Sequence, residues 1–227
     1  MKIINKSSLS ITLDNLNQVF FDGKKLSAPE KKKASEWIAS RQGLPGSYWY
    51  MFGPTISDYN GIRLFTGELI SSRAGVGHFL GEESLRTLYM LGVKDKAVVG
   101  AITKATNGLK MAIKRFSKNN YPEGTYCCSK CSVAYWRNLS AEGVEKNRKL
   151  LNSGLKYLNS KRDGKGKWKS FPFYYTVLAL SGIDLPAAKE ELRYASPALE
   201  RIVRKKPTYD IYSKRRFFLA ERVLSTI

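Results

Sequence analysis

The chain has 227 residues, 43% of them apolar and 26% charged, a composition that is ordinary for a globular protein with a substantial core. No apolar run approaches the roughly 18 residues that a membrane-spanning helix needs, and the first residues lack a signal-peptide pattern, so we expect a soluble, cytoplasmic protein. The formal net charge is +20, and residues 101–170 supply +12 of it. This excess attracts anionic partners, nucleic acid among them, without specifying one.

Two helices are predicted near the start of the chain. A polar and apolar pattern fits a short helix over residues 9–21. Ser27 and Glu30 then have the spacing of a capping box, so a second helix should run from there to Gln42, where Gly43 stops it.

Residues 43–77 differ in composition from the rest of the chain, because glycine recurs there and aromatic residues lie between the glycines. Regular helix is not expected, and a pair of short strands is predicted around 62–70. A connection this long is uncommon in a compact domain unless it lines a site. Packing of the aromatic side chains over the core is the equally favoured alternative. The candidate ligand-binding residues of this region are Tyr48, Trp49, Asp58 and Arg73.

A helix is predicted to open at His78 and to reach Leu91. His78 and Glu82 are four residues apart, so they can face the same way and bind a metal or move a proton. They are the candidate catalytic pair, and Glu83 beside them is a candidate ligand-binding residue. The alternative is structural, since acidic residues in a first turn favour the helix dipole and a lone histidine is commonly a core residue.

The rest of the chain predicts further helices in succession. A break or kink is expected where Ser196 precedes Pro197. Tyr174 and Tyr175, in the most apolar of these helices, are candidate ligand-binding residues. The predicted helices cover residues 96–116, 128–142, 144–158, 172–181, 184 onwards and 209–224.

All three cysteines lie within five residues, at Cys127, Cys128 and Cys131. Cys127 and Cys131 are one helical turn apart, and Cys128 and Cys131 have Cys-x-x-Cys spacing at a helix N-terminus, where the dipole stabilises a thiolate. Three interpretations stay open. The thiols pack as small apolar side chains, they bind zinc together with His78 or a carboxylate, or they undergo redox chemistry.

A repeat with a period of 42 residues connects the cysteine segment with the next part of the chain. Gly124 aligns with Gly166 and Tyr126 with Trp168, while Gly46 and Tyr48 form a similar unit upstream. A period of this length is typical of stacked helix pairs.

The pattern resembles the repeat of the squalene cyclase and protein prenyltransferase β-subunit superfamily. In each unit a helix is followed by glycine, any residue, an aromatic residue and a second helix. The resemblance implies an α/α toroid, and the chain length implies a partial or open ring. The squalene cyclase Asp-x-Asp-Asp motif is absent, and the zinc ligand types are not arranged as in the prenyltransferases. The units are residues 37–42 before Gly46-Ser47-Tyr48, residues 113–116 before Gly124-Thr125-Tyr126, and residues 155–158 before Gly166-Lys167-Trp168.

The sequence therefore predicts an all-α, toroid-like fold in one helical-repeat domain over 1–227. It would have an N-terminal extension over 1–26, tandem helix pairs over 27–205 and a C-terminal helix over 206–227.

The predicted function is binding or conversion of an apolar or anionic small molecule, isoprenoid-like if the resemblance holds, in a central cavity. The reaction cannot be named from the sequence. Two alternatives are a basic helical-repeat protein that binds nucleic acid and a protein-interaction scaffold with structural cysteines.

Overall fold

The computed structural model describes residues 3–117 and 121–227, and the described chain is predominantly helical. The all-α prediction is confirmed. The toroid arrangement remains a prediction. Within the described residues, no helix combines the length and apolarity needed to cross a bilayer. The elements are α1 (Leu9–Phe21), α2 (Ala28–Ala39), β1 (Ile62–Arg63), β2 (Leu69–Ile70), α3 (Arg73–Leu91), α4 (Lys96–Ser117), α5 (Ser129–Glu142), α6 (Arg148–Asn159), α7 (Phe173–Leu180), α8 (Pro186–Val203) and α9 (Ile211–Leu224), with short 3₁₀ helices at Tyr48–Tyr50 and Ile56–Asn60.

The structure divides into two compact units. The first contains α1 to α4 with the antiparallel pair β1 and β2, and the second contains α5 to α9 with the segment Phe65–Glu68. Each unit has its own buried apolar residues. The assignment of residues 1–227 to a single domain remains a prediction.

Helix α3 is the centre of the first unit, and it contacts α1, α2 and α4. Every residue from Val76 to Leu85 is buried, so α3 has no solvent face over nearly three turns. Ser72 accepts a hydrogen bond from the Gly75 amide at its N-terminus, and Gly92 ends it in a left-handed conformation. The helix begins five residues earlier than predicted because this cap was not recognised in the sequence.

The second unit contains two consecutive helix pairs, α5 with α6 and α7 with α8, and α9 packs on α7 and α8. Gly124 precedes the first pair and Gly166 the second, with φ of 76° and 83°. A Cβ atom on Gly124 would lie 2.2 Å from the Leu150 carbonyl oxygen of α6, and one on Gly166 would lie 3.3 Å from the Tyr194 carbonyl oxygen of α8. Both glycines thus let the loop before a helix pair approach the second helix of that pair closely.

The two copies diverge where their second segments become helical. α5 begins at Ser129, whereas α7 begins at Phe173, which aligns with Cys131. Cys128 is extended, but its counterpart Ser170 has φ of 65°, an uncommon conformation for a residue with a side chain. The repeat therefore applies to the loop glycines and not to the first helical turn.

A buried carboxylate connects the second helix pair to the loop that precedes it. Glu191 of α8 accepts hydrogen bonds from the Trp168 indole at 2.7 Å, from the Arg162 guanidinium at 2.9 Å and from the Asn159 amide at 2.9 Å. Since Glu191 is almost fully buried, these donors supply the solvation that its charge requires.

Helices α2 and α8 also differ from the sequence prediction. α2 ends at Ala39 and not at Gln42, because the chain turns into a loop that is bridged between Gln42 and Phe52. α8 continues through Pro197, so the predicted break does not occur, and the alternative of a kink stays a prediction. Pro197 cannot donate to the Arg193 carbonyl, and the Ser196 hydroxyl donates to that oxygen at 2.8 Å.

Replacing Gly124 by alanine should destabilise the protein far more than replacing Gly164. Both residues have positive φ, at 76° and 80°, so both changes carry a backbone strain of about 1–2 kcal/mol. Only a Cβ on Gly124 also clashes with backbone, which adds roughly 1–3 kcal/mol. Denaturant unfolding of the two variants measures the difference. Equal loss of stability in both would show that the contact with α6 is unimportant.

Candidate functional site

The cysteine segment forms the N-terminus of α5. Cys128 is the N-cap residue, and its Sγ accepts a hydrogen bond from the Cys131 amide at 3.4 Å. An N-cap side chain normally accepts through oxygen, and here a sulfur takes that place. The loop before the helix is fixed because the Ser132 hydroxyl accepts from the Tyr126 amide and donates to the Cys128 carbonyl.

The three cysteine sulfurs lie together, and none is in a disulfide. The Cys128 side chain is hydrogen-bonded to the side chains of both Cys127 and Cys131. The Cys127 and Cys131 sulfurs lie within 4.8 Å of each other. Burial increases from Cys128, which is exposed, through Cys127, which is half-buried, to Cys131, which is 4% exposed. Packing alone therefore accounts for Cys131 and not for the other two.

The cluster stabilises a thiolate. The hydrogen bond from the Cys127 thiol, followed by that from Cys131, holds the pKa of the Cys128 thiol far below its usual range. Burial opposes this shift, and the amides of Cys131 and Lys130 add to it. The dipole of α5 acts in the same direction as the amides.

The sulfur spacing fits a tetrahedral metal ion. A zinc ion binds thiolate at about 2.3 Å, which places two sulfurs of one tetrahedron roughly 3.8 Å apart. The separation of at most 4.8 Å between Cys127 and Cys131 is compatible with that distance after a small movement. Cys128 is hydrogen-bonded to both of these cysteines, so the cluster contains three sulfurs that could act as ligands of such an ion.

His78 and Glu82 both lie inside the first unit on α3. His78 is 5% exposed, and its ring lies against Tyr48 with centroids 3.4 Å apart and planes at 43°. Glu82, one turn further along the helix, is 1% exposed. The structure thus places this pair on one buried helix. Their catalytic role remains a prediction.

Glu83, a predicted ligand-binding residue, belongs to a polar network between α1 and α3. It accepts a hydrogen bond from the Asn17 amide at 3.2 Å, and the Arg86 guanidinium lies 3.5 Å away. Arg86 also donates to the Asn17 side-chain oxygen at 2.8 Å. These contacts account for the buried carboxylate by structure alone.

Asp58, another predicted ligand-binding residue, lies at the N-terminus of α1. Its carboxylate is 1% exposed and accepts hydrogen bonds from the Ser8 hydroxyl at 2.7 Å, the Leu9 amide at 3.1 Å and the Ser10 amide at 3.2 Å. Thr55 donates through its amide at 2.8 Å and its hydroxyl at 2.9 Å. Burial raises the pKa of Asp58, but the hydrogen bonds, that of Ser8 foremost, outweigh it and hold the pKa below its ordinary value.

Trp49 and Arg73 are held by contacts within the first unit. Trp49 has a left-handed backbone with φ of 51°, and the Arg115 guanidinium lies 5.7 Å from its ring centroid. Its carbonyl approaches Gly108 of α4 so closely that a Cβ there would be only 1.8 Å away. Arg73 lies over the Tyr59 ring at 4.6 Å and lines a shallow groove of about 1210 Å³.

Tyr174 and Tyr175 have different environments in α7. Tyr175 is buried, with the Arg137 guanidinium 5.2 Å from its ring, and its amide donates to Glu68 at 3.2 Å. Tyr174 is half-buried and lines a cavity of about 390 Å³. The sequence prediction missed the cationic residues around this cavity. The adjacent pair Lys205 and Lys206 is the sequence signal that could have located them.

The chain matches no protein-family model, no curated protein and no solved structure. The resemblance to the cyclase and prenyltransferase superfamily therefore remains an expectation.

Asp58→Ala should destabilise the protein by on the order of 3 kcal/mol, because it leaves buried donors without their charged acceptor. Since the folded pKa is lowered, the contribution is complete above the unfolded pKa of about 4 and is lost as pH falls through the folded pKa. Urea unfolding between acid and neutral pH measures both effects. Glu36→Gln, at an exposed carboxylate, should change stability by less than about 0.5 kcal/mol. A pH-independent difference between Asp58→Ala and the unchanged protein would contradict the assignment.

The metal-free protein should be alkylated by iodoacetamide preferentially at Cys128, and the rate should stay high below neutral pH. An ordinary thiol, with a pKa of about 8.5, loses roughly tenfold in rate per pH unit under those conditions. Cys127→Ala removes the main cause of the lowered pKa, so the rate profile should move to higher pH. Peptide mass spectrometry locates the modification. An unchanged profile in Cys127→Ala would refute the coupling of the thiols.

Proposed function

We propose that the protein binds one zinc ion through Cys127, Cys128 and Cys131. The observation that carries the proposal is the contact of all three sulfurs at the N-terminus of α5. The stabilised thiolate supports it, because zinc binds thiolate and not thiol, and less proton displacement is needed where the pKa is already low.

The exposure of the cluster also favours a metal centre. Cys128 is exposed and Cys127 is half-buried, so an ion can reach the sulfurs from solvent. The Cys131 amide already donates to the Cys128 sulfur, which is the kind of outer contact that orients a metal ligand. Three protein ligands with a fourth position for water or substrate are the arrangement of catalytic zinc sites, whereas four protein ligands are structural. With three protein ligands and an open fourth position, bound zinc acts as a Lewis acid.

The test is metal analysis of the purified protein, followed by chelation and titration with Zn²⁺ and Co²⁺. We expect one ion per chain and a Co²⁺ spectrum with thiolate charge-transfer bands. Each of Cys127→Ser, Cys128→Ser and Cys131→Ser should weaken binding by about a hundredfold or more, since even losing an outer contact costs 10–100-fold. Lys130→Ala, at an exposed neighbour that offers no ligand, should retain full stoichiometry.

Two further measurements separate the alternatives that the sequence left open. The same titration on His78→Ala tests whether the only histidine of the chain affects metal affinity, as one of the three interpretations of the sequence predicts. Mild oxidation with thiol counting tests redox chemistry. Absence of stoichiometric metal, together with rapid formation of a disulfide between Cys128 and Cys131, would replace the zinc proposal by a redox role.

A further inference from the structure

A second candidate site lies in the second unit, in the cavity of about 390 Å³ that Tyr174 lines. This volume is within the roughly 300–1,000 Å³ that small-molecule sites occupy. The cavity is formed by the loop before α7, the start of α7, the end of α8, the loop that follows and the start of α9. Its lining residues are Lys167, Phe173, Tyr174, Ala198, Arg201, Ile202, Lys205, Lys206, Pro207, Thr208, Ser213 and Phe217.

The lining has an aromatic part and a cationic part. Phe173, Tyr174 and Phe217 are half-buried, so they form the inner walls. The rings of Phe173 and Tyr174 have centroids 5.2 Å apart at 72°, which leaves their planes at different angles to the cavity. Half-buried aromatic side chains around a cavity offer surface on which another planar ring can pack.

The cationic part lies at the rim. Lys167, Arg201, Lys205 and Lys206 are all exposed. Among the described residues that line the cavity there is no aspartate or glutamate. The nearby Glu200 faces Arg204 at 3.7 Å, and Asp210 accepts from the Ser213 amide at 2.8 Å. Four positive charges therefore face a cavity whose lining does not neutralise them.

Helix stabilisation explains only part of this charge. Arg201, Lys205 and Lys206 lie at the C-terminal end of α8, where cations favourably offset the helix dipole. Lys167 belongs to a different element, the loop before α7, and its ammonium lies 5.4 Å from the Phe173 ring centroid. The first turn of α9, which carries Ser213, is capped by the Asp210 carboxylate, so the positive charge at the cavity comes from the side chains of the rim.

From this juxtaposition of aromatic walls and a four-cation rim, we propose that the cavity binds a nucleotide unit. Its base packs against Phe173, Tyr174 and Phe217, and its phosphate lies among Lys167, Arg201, Lys205 and Lys206. Bases stack on aromatic side chains whatever their identity, and lysine and arginine hold phosphate by charge and hydrogen bonds. Thr208 and Ser213 add hydroxyl groups to the lining.

The same chemistry belongs to a free nucleotide and to one residue of a single strand, and the size of the cavity suits a single unit. The proposal does not depend on the zinc centre, since none of the described residues that line the cavity is a cysteine. It gives a specific location to part of the +20 charge of the chain.

The experiment is isothermal titration of the full chain at low salt with AMP, adenosine, inorganic phosphate and a short oligoadenylate. AMP should bind at least about tenfold more tightly than adenosine or phosphate alone, because it uses both parts of the cavity. If the natural ligand is a single strand, the oligoadenylate should bind more tightly still, with a steep dependence on salt.

Matched variants test each part of the cavity. Tyr174→Leu should weaken AMP binding about fivefold or more, whereas Tyr209→Leu, at a tyrosine that is 99% exposed and does not line the cavity, should not. The double variant Lys205→Ala/Lys206→Ala should weaken it about tenfold, whereas Lys214→Ala, an exposed lysine outside the lining, should not. Thermal unfolding establishes that each variant is folded.

Three results would overturn the proposal. They are no measurable binding of AMP or oligoadenylate, equal affinity for AMP and inorganic phosphate, and binding of either nucleotide probe that Tyr174→Leu leaves unchanged. The second and third would identify a basic surface patch without a base site.

Discussion

The close approach of Gly124 to α6 is the contact on which the cysteine segment depends. With no side chain, Gly124 reaches backbone contact with α6, and its carbonyl accepts the Trp136 indole hydrogen at 2.7 Å. The chain then enters α5 within a few residues, so Cys127 and Cys128 lie where the first amides of the helix have no partner within the helix itself. The proposed metal site therefore depends on a backbone contact that involves none of its three cysteines.

The sequence predicted features that depend on neighbours in the chain. The capping box of Ser27 and Glu30, the bounds of α1 and the position of the cysteines at a helix N-terminus are all local. The role of Asp58 could not be found in this way, because its donor Ser8 is 50 residues away. Asp58 was predicted to bind a ligand because its region is rich in glycine. That composition does not distinguish a residue that caps a helix from one that binds a ligand.

The proposed nucleotide site shows the same limit. Tyr174 was a candidate on composition, but its cationic neighbours come from Lys167 and from the end of α8, separated in sequence and brought together by packing. Net charge indicated an anionic partner without a location. Buried charges in the second unit, such as Glu191, are matched by donors inside the protein, whereas the rim cations face solvent.

The divergence between Cys128 and Ser170 has a consequence for how such a repeat acquires chemistry. The extended Cys128 directs its side chain back to the first amides of α5, whereas the left-handed Ser170 is followed by a helix that starts two residues later, after Pro172. Substituting cysteines at the three aligned positions of the other copy would reproduce the residue types without the N-cap hydrogen bond to sulfur. In this repeat, a cysteine site in the second copy would need the extended backbone of Cys128 as well as the three cysteines.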